Sequence, residues 1–294
     1  MIRKYYKVGL VDAVAGGVKQ IPVPINLGTI TGLYFYMKNG SGAAASVAVV
    51  KAALKNIMMT ASPKNGMSFD IIKPFTPEKL YRRELNYGSV FGFTANTAEL
   101  LAYDPSASLF TAESSRAYLN LGALDLAALT LEFNFMSAIT GLSGIETWIE
   151  YDPRNTVLGA HVRLGTLTQK VPATGGDVEI VTLPKNTDGS FGYQKIDIGI
   201  PANMTVDKVT VVTDNDQYQL REVPVSLLKR GQIECGRTPA ADVVTIDFAK
   251  EAFANFFLPG QMGDFKVVPH FVPGTGAVES QIDIDYELLY TPKG

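Results

Sequence analysis

The chain is poor in the side chains from which most active sites are built. Among 294 residues there are two histidines, one cysteine and one tryptophan. A single cysteine, Cys235, cannot form an intramolecular disulfide framework and fits synthesis in a reducing compartment. With no histidine near it in sequence, it reads as a small apolar residue rather than a nucleophile. His161 and His270 are scattered, one in a Gly-rich stretch and one inside a strand pattern, so both read as structural or surface residues. The cluster of His and carboxylate ligands that a two-barrel metalloenzyme needs is missing.

Charge is scarce as well. Charged residues make up 19% of the chain, below the usual quarter, and 26 basic against 29 acidic side chains leave a net charge of -3 with no long run of either sign. Nothing here supplies the phosphate-neutralising term that dominates nucleic-acid binding, so no specific nucleic acid is expected. No window approaches the roughly 18 apolar residues of a membrane-spanning helix. Arg3, Lys4 and Lys7 before Ala13-Val14-Ala15 imitate a secretory signal, but Asp12 interrupts an already short apolar region.

Motifs that carry chemistry fail on inspection. Asp214-Asn215-Asp216 opens like a calcium loop, yet Gln219 and Val225 stand where Gly and Glu are required. Asp283 and Asp285 alternate with Ile282, Ile284 and Tyr286, which places both carboxylates on the solvent side of a strand. Gly274-Thr275-Gly276 lacks the third glycine of a dinucleotide fingerprint, Glu279 taking its place. Asn39-Gly40-Ser41 and Asn203-Met204-Thr205 match the glycosylation sequon but fall where turns are needed. Accordingly no catalytic, cofactor-binding or metal-ligating residue is assigned, no cofactor is expected, and the chain is not read as an enzyme.

What the chain does contain is a pattern that occurs twice. Gln20-Ile21-Pro22-Val23-Pro24-Ile25, a turn, and Thr31 to Gly40 match Lys195-Ile196-Asp197-Ile198-Gly199-Ile200, a turn, and Asp207 to Asn215. Apolar residues coincide at alternate positions: Ile21 with Ile196, Val23 with Ile198, Ile25 with Ile200, Leu33 with Val209, Phe35 with Val211. Period two means strands with one buried face. Each copy closes alike, Tyr151-Asp152-Pro153 and Tyr290-Thr291-Pro292 both placing Tyr two residues before Pro.

Many short strands punctuated by turns, without alternating long helices, indicate sandwiches or barrels. Strands are expected near 20–25, 31–38, 53–61, 68–73, 89–95, 128–136 and 147–152, then near 195–200, 207–214, 217–223, 242–248, 264–272 and 280–290. Thr76-Pro77-Glu78 caps a short helix over 76–85, and further short helices fit 225–229 and 250–257. The expected class is all-β, two fused jelly-roll sandwiches with short inserted helices. The expected division is an arm over 1–19, a first jelly roll over 20–156, a connection over 157–193 that holds strands of its own, and a second jelly roll over 194–294. Tyr34 and Tyr36, on the face opposite Leu33 and Phe35, suit a sugar platform or a protein interface.

The paired opening strands at 20–40 and 195–215, the lack of catalytic groups and the chain's size resemble the double jelly-roll major capsid proteins of tailless, membrane-containing bacteriophages of the corticovirus, tectivirus and finnlakevirus type. The resemblance implies a structural protein made in the host cytoplasm and located in the virion. Three copies would form a pseudo-hexameric capsomer that tiles an icosahedral shell. It implies as partners the chain itself and neighbouring capsomers, minor capsid, vertex and membrane proteins, and an internal membrane reached by the arm; the arm is expected either to dock on an adjacent subunit or to face the membrane with Arg3, Lys4 and Lys7 toward anionic headgroups. The alternative is a phage spike or lectin-like protein that binds carbohydrate or a receptor.

Overall fold

A computed structural model describes residues 4–87, 101–103, 121–186, 189–213, 217–248 and 265–290. The expected strand at 89–95, the helix at 250–257 and the Asp214-Asn215-Asp216 turn lie outside these residues. The chain divides into two compact units, Met1–Leu164 and Gly165–Gly294.

In the first unit the strands are β1 (Lys4–Asp12), β2 (Val18–Pro22), β3 (Thr29–Lys38), β4 (Leu54–Pro63), β5 (Phe69–Phe75), β6 (Leu101–Tyr103), β7 (Leu126–Phe135) and β8 (Gly144–Asp152). They form two four-stranded arrays in the orders β1-β8-β3-β6 and β2-β7-β4-β5. Two helices interrupt them, α1 (Val47–Ala53) and α2 (Pro77–Asn86). Helix α2 starts as expected: Thr76 Oγ1 accepts from the Lys79 amide at 3.3 Å, Pro77 occupies the first turn and Glu78 lies at the positive end. Helix α1 was not expected; Ser46 caps it by accepting from the Val49 amide.

Strand β9 (His161–Val171) opens in the first unit, where Leu164 pairs in parallel with Ile72 of β5, and continues as the first strand of the second. There follow β10 (Gly176–Asp177), β11 (Phe191–Gly199), β12 (Met204–Thr213), β13 (Gln217–Pro224), α3 (Val225–Glu234), β14 (Val243–Asp247), β15 (Phe265–Pro273) and β16 (Ser280–Tyr290). Their orders are β9-β16-β11-β14 and β10-β15-β12-β13. Counting strands within each unit from one to eight, both read 1-8-3-6 and 2-7-4-5, the strand order of a jelly roll.

The duplication extends to its irregularities. Between β4 and β5 the pairs run Ile57 with Phe75, Met59 with Ile72 and Thr60 with Asp70; between β12 and β13 they run Val209 with Val223, Val211 with Leu220 and Val212 with Tyr218. The same two bulges occur at the same places, and in each unit a helix follows the fifth strand directly.

This register corrects the expected repeat. Strand β2 is the second strand of its unit and β11 the third of its own, so Ile21, Val23 and Ile25 are not counterparts of Ile196, Ile198 and Ile200; the match was one strand out of phase. The closing strands were matched in phase, since β8 and β16 are both eighth, with Tyr151 opposite Ile30 of β3 and Tyr290 opposite Phe191 of β11.

One segment differs from the expected division. Residues 4–12 of the supposed arm form β1, which pairs with β8 from Lys4 opposite Tyr151 to Asp12 opposite Gly144. The connection over 157–193 holds strands, as expected: β9, β10 and the start of β11.

Each unit packs its own core. In the first, Phe35 and Phe133 meet edge to face at 5.7 Å among Ile30, Leu33, Ile57, Met59 and Leu131, all buried. In the second, Tyr193, Ile196, Ile198, Val209, Val211, Phe265 and Phe271 form one cluster.

Candidate functional site

Strands β1, β8 and β3 carry their inward apolar residues on one side and a row of rings and charges on the other. Across this outer side Lys7 and Tyr34 flank Trp148, Leu10 and Tyr36 flank Glu146, and Tyr5 and Gly32 flank Glu150. Glu146 is held by three donors: Lys7 Nζ and Lys38 Nζ, each 2.9 Å from Oε2, and Trp148 Nε1, 2.8 Å from Oε1. Hydrogen bonds from Lys38, then Lys7 and Trp148, bring its pKa down to about 2. Tyr34 OH donates to Glu150 Oε2 at 2.7 Å, and the Tyr5 ring lies 6.2 Å from the Tyr34 ring. Tyr5 is 63% exposed and Leu10 56%.

An outward sheet face bearing Trp, Tyr and fixed carboxylates differs from the polar face a solvated sheet presents. A carboxylate held ionised to about pH 2 cannot shuttle protons near neutrality. What the face offers is contact area of low conformational cost with oriented charges, the composition of a binding surface. Tyr34 and Tyr36 were legible as part of it. Tyr5 was missed and Lys7 was assigned to the arm because β1 was not recognised as a strand, and Trp148, on a strand that was expected, was not singled out because its neighbours across β8 come from β1 and β3.

In the second unit the outer side of β10, β15, β12 and β13 holds a groove of about 330 Å³ lined by Asp177, Glu179, Lys208, Glu222, Lys266 and His270, among others. Lys208 pairs with Glu222 at 2.6 Å, Lys266 with Glu179 at 2.9 Å, and His270 Nδ1 with Asp177 Oδ1 at 2.7 Å. Glu222 sits at φ 48°. Its side chain reaches Lys208 and its amide donates to Thr210 Oγ1, which holds the bulge in place.

The remaining residues singled out in the sequence have structural surroundings. His161 is buried, its Nδ1 donating to the Gly159 carbonyl and its Nε2 accepting from Arg163 Nε. Burial brings its pKa down to about 4, which keeps the ring neutral. Cys235 ends α3, its amide bonded to the Gly231 and Gln232 carbonyls. Asn39 Oδ1 accepts from the Ser41 and Ala43 amides, and Asn203, at φ 59°, donates to the Gly276 carbonyl, so both sequons are turns. Among the described residues no group of three or more His, Cys, Asp or Glu side chains could hold a metal ion.

Asp283 is exposed as expected, but Asp285 is buried, which corrects its placement on the solvent side. The outer positions of β11, β14 and β16 carry a buried polar set: Lys195 lies 2.9 Å from Glu287 and 3.3 Å from Asp197, and Thr245 Oγ1 donates to Asp197 at 2.6 Å. Alternation alone assigns these residues to solvent, so this set carried no signal in the sequence.

No family model matches the chain, and no curated protein matches its sequence. Solved structures do match it along nearly its whole length. The major capsid protein P2 from bacteriophage PM2 superposes with a TM-score of 0.78 at 14% identity, over 99% of this chain and 98% of that one. The STIV MCP, from Sulfolobus turreted icosahedral virus, gives 0.68 at 12% identity, over 99% and 98%. The PBCV-1 virus capsid gives 0.62 at 10% identity, over 98% and 94%. The chain has the double jelly-roll fold of these proteins.

Proposed function

We propose that this chain is a viral major capsid protein, a structural subunit that acts by assembling with itself and carries out no reaction. The observation behind the reading is that, among the described residues, two jelly rolls of identical strand order hold every strand, as in capsid proteins matched over 94–98% of their own length. A duplicated fold lets a trimer present six similar lobes, so one chain can tile a hexagonal lattice. The low content of charge fits a subunit buried on several sides, and the outer face around Trp148 has the composition of a contact surface. The shell is proposed to be icosahedral and to enclose a membrane. Because residues 4–12 belong to a sheet, the membrane contact is no longer assigned to an N-terminal arm.

Negative-stain imaging and native mass measurement of the purified chain test the reading. Trimers of hexagonal outline, or closed shells, are expected, with phospholipid in particles recovered from infected cells; a chain that stays monomeric at micromolar concentration overturns it. The carbohydrate-binding alternative draws on Tyr5, Tyr34 and Trp148. Saturable glycan binding that Trp148→Ala removes from a monomeric protein favours it.

A further inference from the structure

Strand β5 is hydrogen-bonded on one side to β4 and on the other, in parallel, to the opening of β9, with Ile72 opposite Leu164. Both residues are sealed from solvent, Ile72 at 0% and Leu164 at 1% exposure. Beside them the Arg163 guanidinium lies 3.9 Å from the centroid of the Phe69 ring, which also stacks on His161.

The chain holds a second copy of each participant. Strand β13 is the counterpart of β5, and the shared bulges place Leu220 where Ile72 stands. Strand β1 is the counterpart of β9, both being the first strand of their unit. Lys7-Val8-Gly9 repeats the basic, aliphatic, glycine run of Arg163-Leu164-Gly165, which places Val8 where Leu164 stands. Among the described residues, β13 pairs only with β12 and β1 only with β8, so each has one open edge. Leu220 and Val8 are half-buried where their counterparts are sealed. An edge of nine residues without proline, bearing exposed Tyr5, Tyr6 and Leu10, is a template for another strand.

We propose that β13 of one copy pairs in parallel with β1 of a second copy of this chain, Leu220 opposite Val8, repeating between copies the contact that Ile72 and Leu164 make within one. The inference rests on the capsid reading for its setting. The occupant is a second copy because each open edge has its complement on the same chain, with the β5 to β9 pairing as the pattern. The contact is head to tail, each copy giving β13 to one neighbour and receiving another's on β1, and a threefold rotation between copies closes it into the trimer of the capsid reading, where a rotation that does not close would give an open filament.

The test joins Val8→Cys and Leu220→Cys in a Cys235→Ser background. Paired residues on adjacent strands fall within the roughly 4.4–6.8 Å Cα separation a disulfide accepts, so mild oxidation of trimers is expected to give linked dimers and trimers on a non-reducing gel, and neither single-cysteine variant should. Trimers by native mass without linked copies, or a disulfide confined to one chain, overturn this pairing and leave the capsid reading standing. Absence of trimers from the unmodified chain overturns both. A measurement on the unmodified trimer guards against misfolding of the variant. Amides of β1 that point away from β8 are expected to exchange as slowly as those bonded to it, and exchange about tenfold or more faster overturns the pairing.

Discussion

Lys7 of β1 and Glu146 of β8 meet at 2.9 Å, Nζ to Oε2, and that contact ties the first strand of the chain to the last strand of its unit. The carboxylate also serves Lys38 and Trp148. A carboxamide there keeps one acceptor oxygen but loses the charge that both lysines share and turns its other atom into a donor. Glu146→Gln is expected to lower stability by about 1–2 kcal/mol, less than a fully buried charged hydrogen bond is worth because Lys7 is half exposed. Lys7→Ala should cost under about 1 kcal/mol. Deleting residues 1–12 removes an entire strand of the β1-β8-β3-β6 array, so loss of the cooperative transition of the first unit is expected. A deletion that melts like the full chain would show that β1 is dispensable.

The fold class was legible because one physical signal, alternation of apolar residues, recurs in strand after strand, and because Leu129, Leu131 and Phe133 of β7 fill one side of a sheet. The phase of the repeat was not legible for the same reason. Alternation says that a segment is a strand and not which strand it is, so β2 was matched to β11. Strand β1 escaped because an edge strand exposed along both faces, with only Val11 buried, shows no period at all. Strand β10 is two residues long, too short for any period to register. What identifies counterparts is the pair of bulges at Ile72 and Leu220, a backbone property that the side chains do not spell out.

The corrected phase changes which truncations should matter. Ile196 and Ile198 are at 0% exposure inside the second core, whereas Ile21 is half-buried on the edge strand β2. Ile196→Ala is expected to cost about 2–5 kcal/mol and Ile21→Ala clearly less. Met59→Ala and Val211→Ala, at equivalent positions beside the bulges and both at 0% exposure, should each destabilise their own unit. Chemical denaturation of the four variants checks the order; equal losses at Ile21 and Ile196 would restore the original match.

Acid should weaken the first unit in two steps. His161 is neutral and buried, with its pKa lowered from 6.5 to about 4, so the unfolded chain takes up a proton that the folded one refuses. Its contribution is whole above about pH 6.5 and is lost as pH falls toward 4, up to about 3 kcal/mol. Glu146 and Asp152, each held near 2 by their basic partners, add a further loss between their unfolded values and pH 2. Melting curves from pH 7.5 to 3 should show the first loss near pH 5–6, and His161→Gln should flatten that step while leaving the lower one. An unchanged upper step in His161→Gln would assign it to another group.

Gly28 supplies the sharpest single test of how β2 connects to β3. Its φ is 148°, outside the range that side-chain-bearing residues favour, and a Cβ built there would sit 1.9 Å from the Asp152 carbonyl oxygen. The obstacle is backbone at the end of β8, where Asp152 is itself fixed by Arg154 and pairs with Thr29, so no side-chain rotation relieves the clash. Gly28→Ala therefore meets both backbone strain and a hard contact, and should cost well over about 1 kcal/mol. Gly40→Ala, where nothing lies within 4 Å, is the control and should stay within about 0.5 kcal/mol. If the two variants unfold at the same denaturant concentration, the close approach of residue 28 to β8 is wrong.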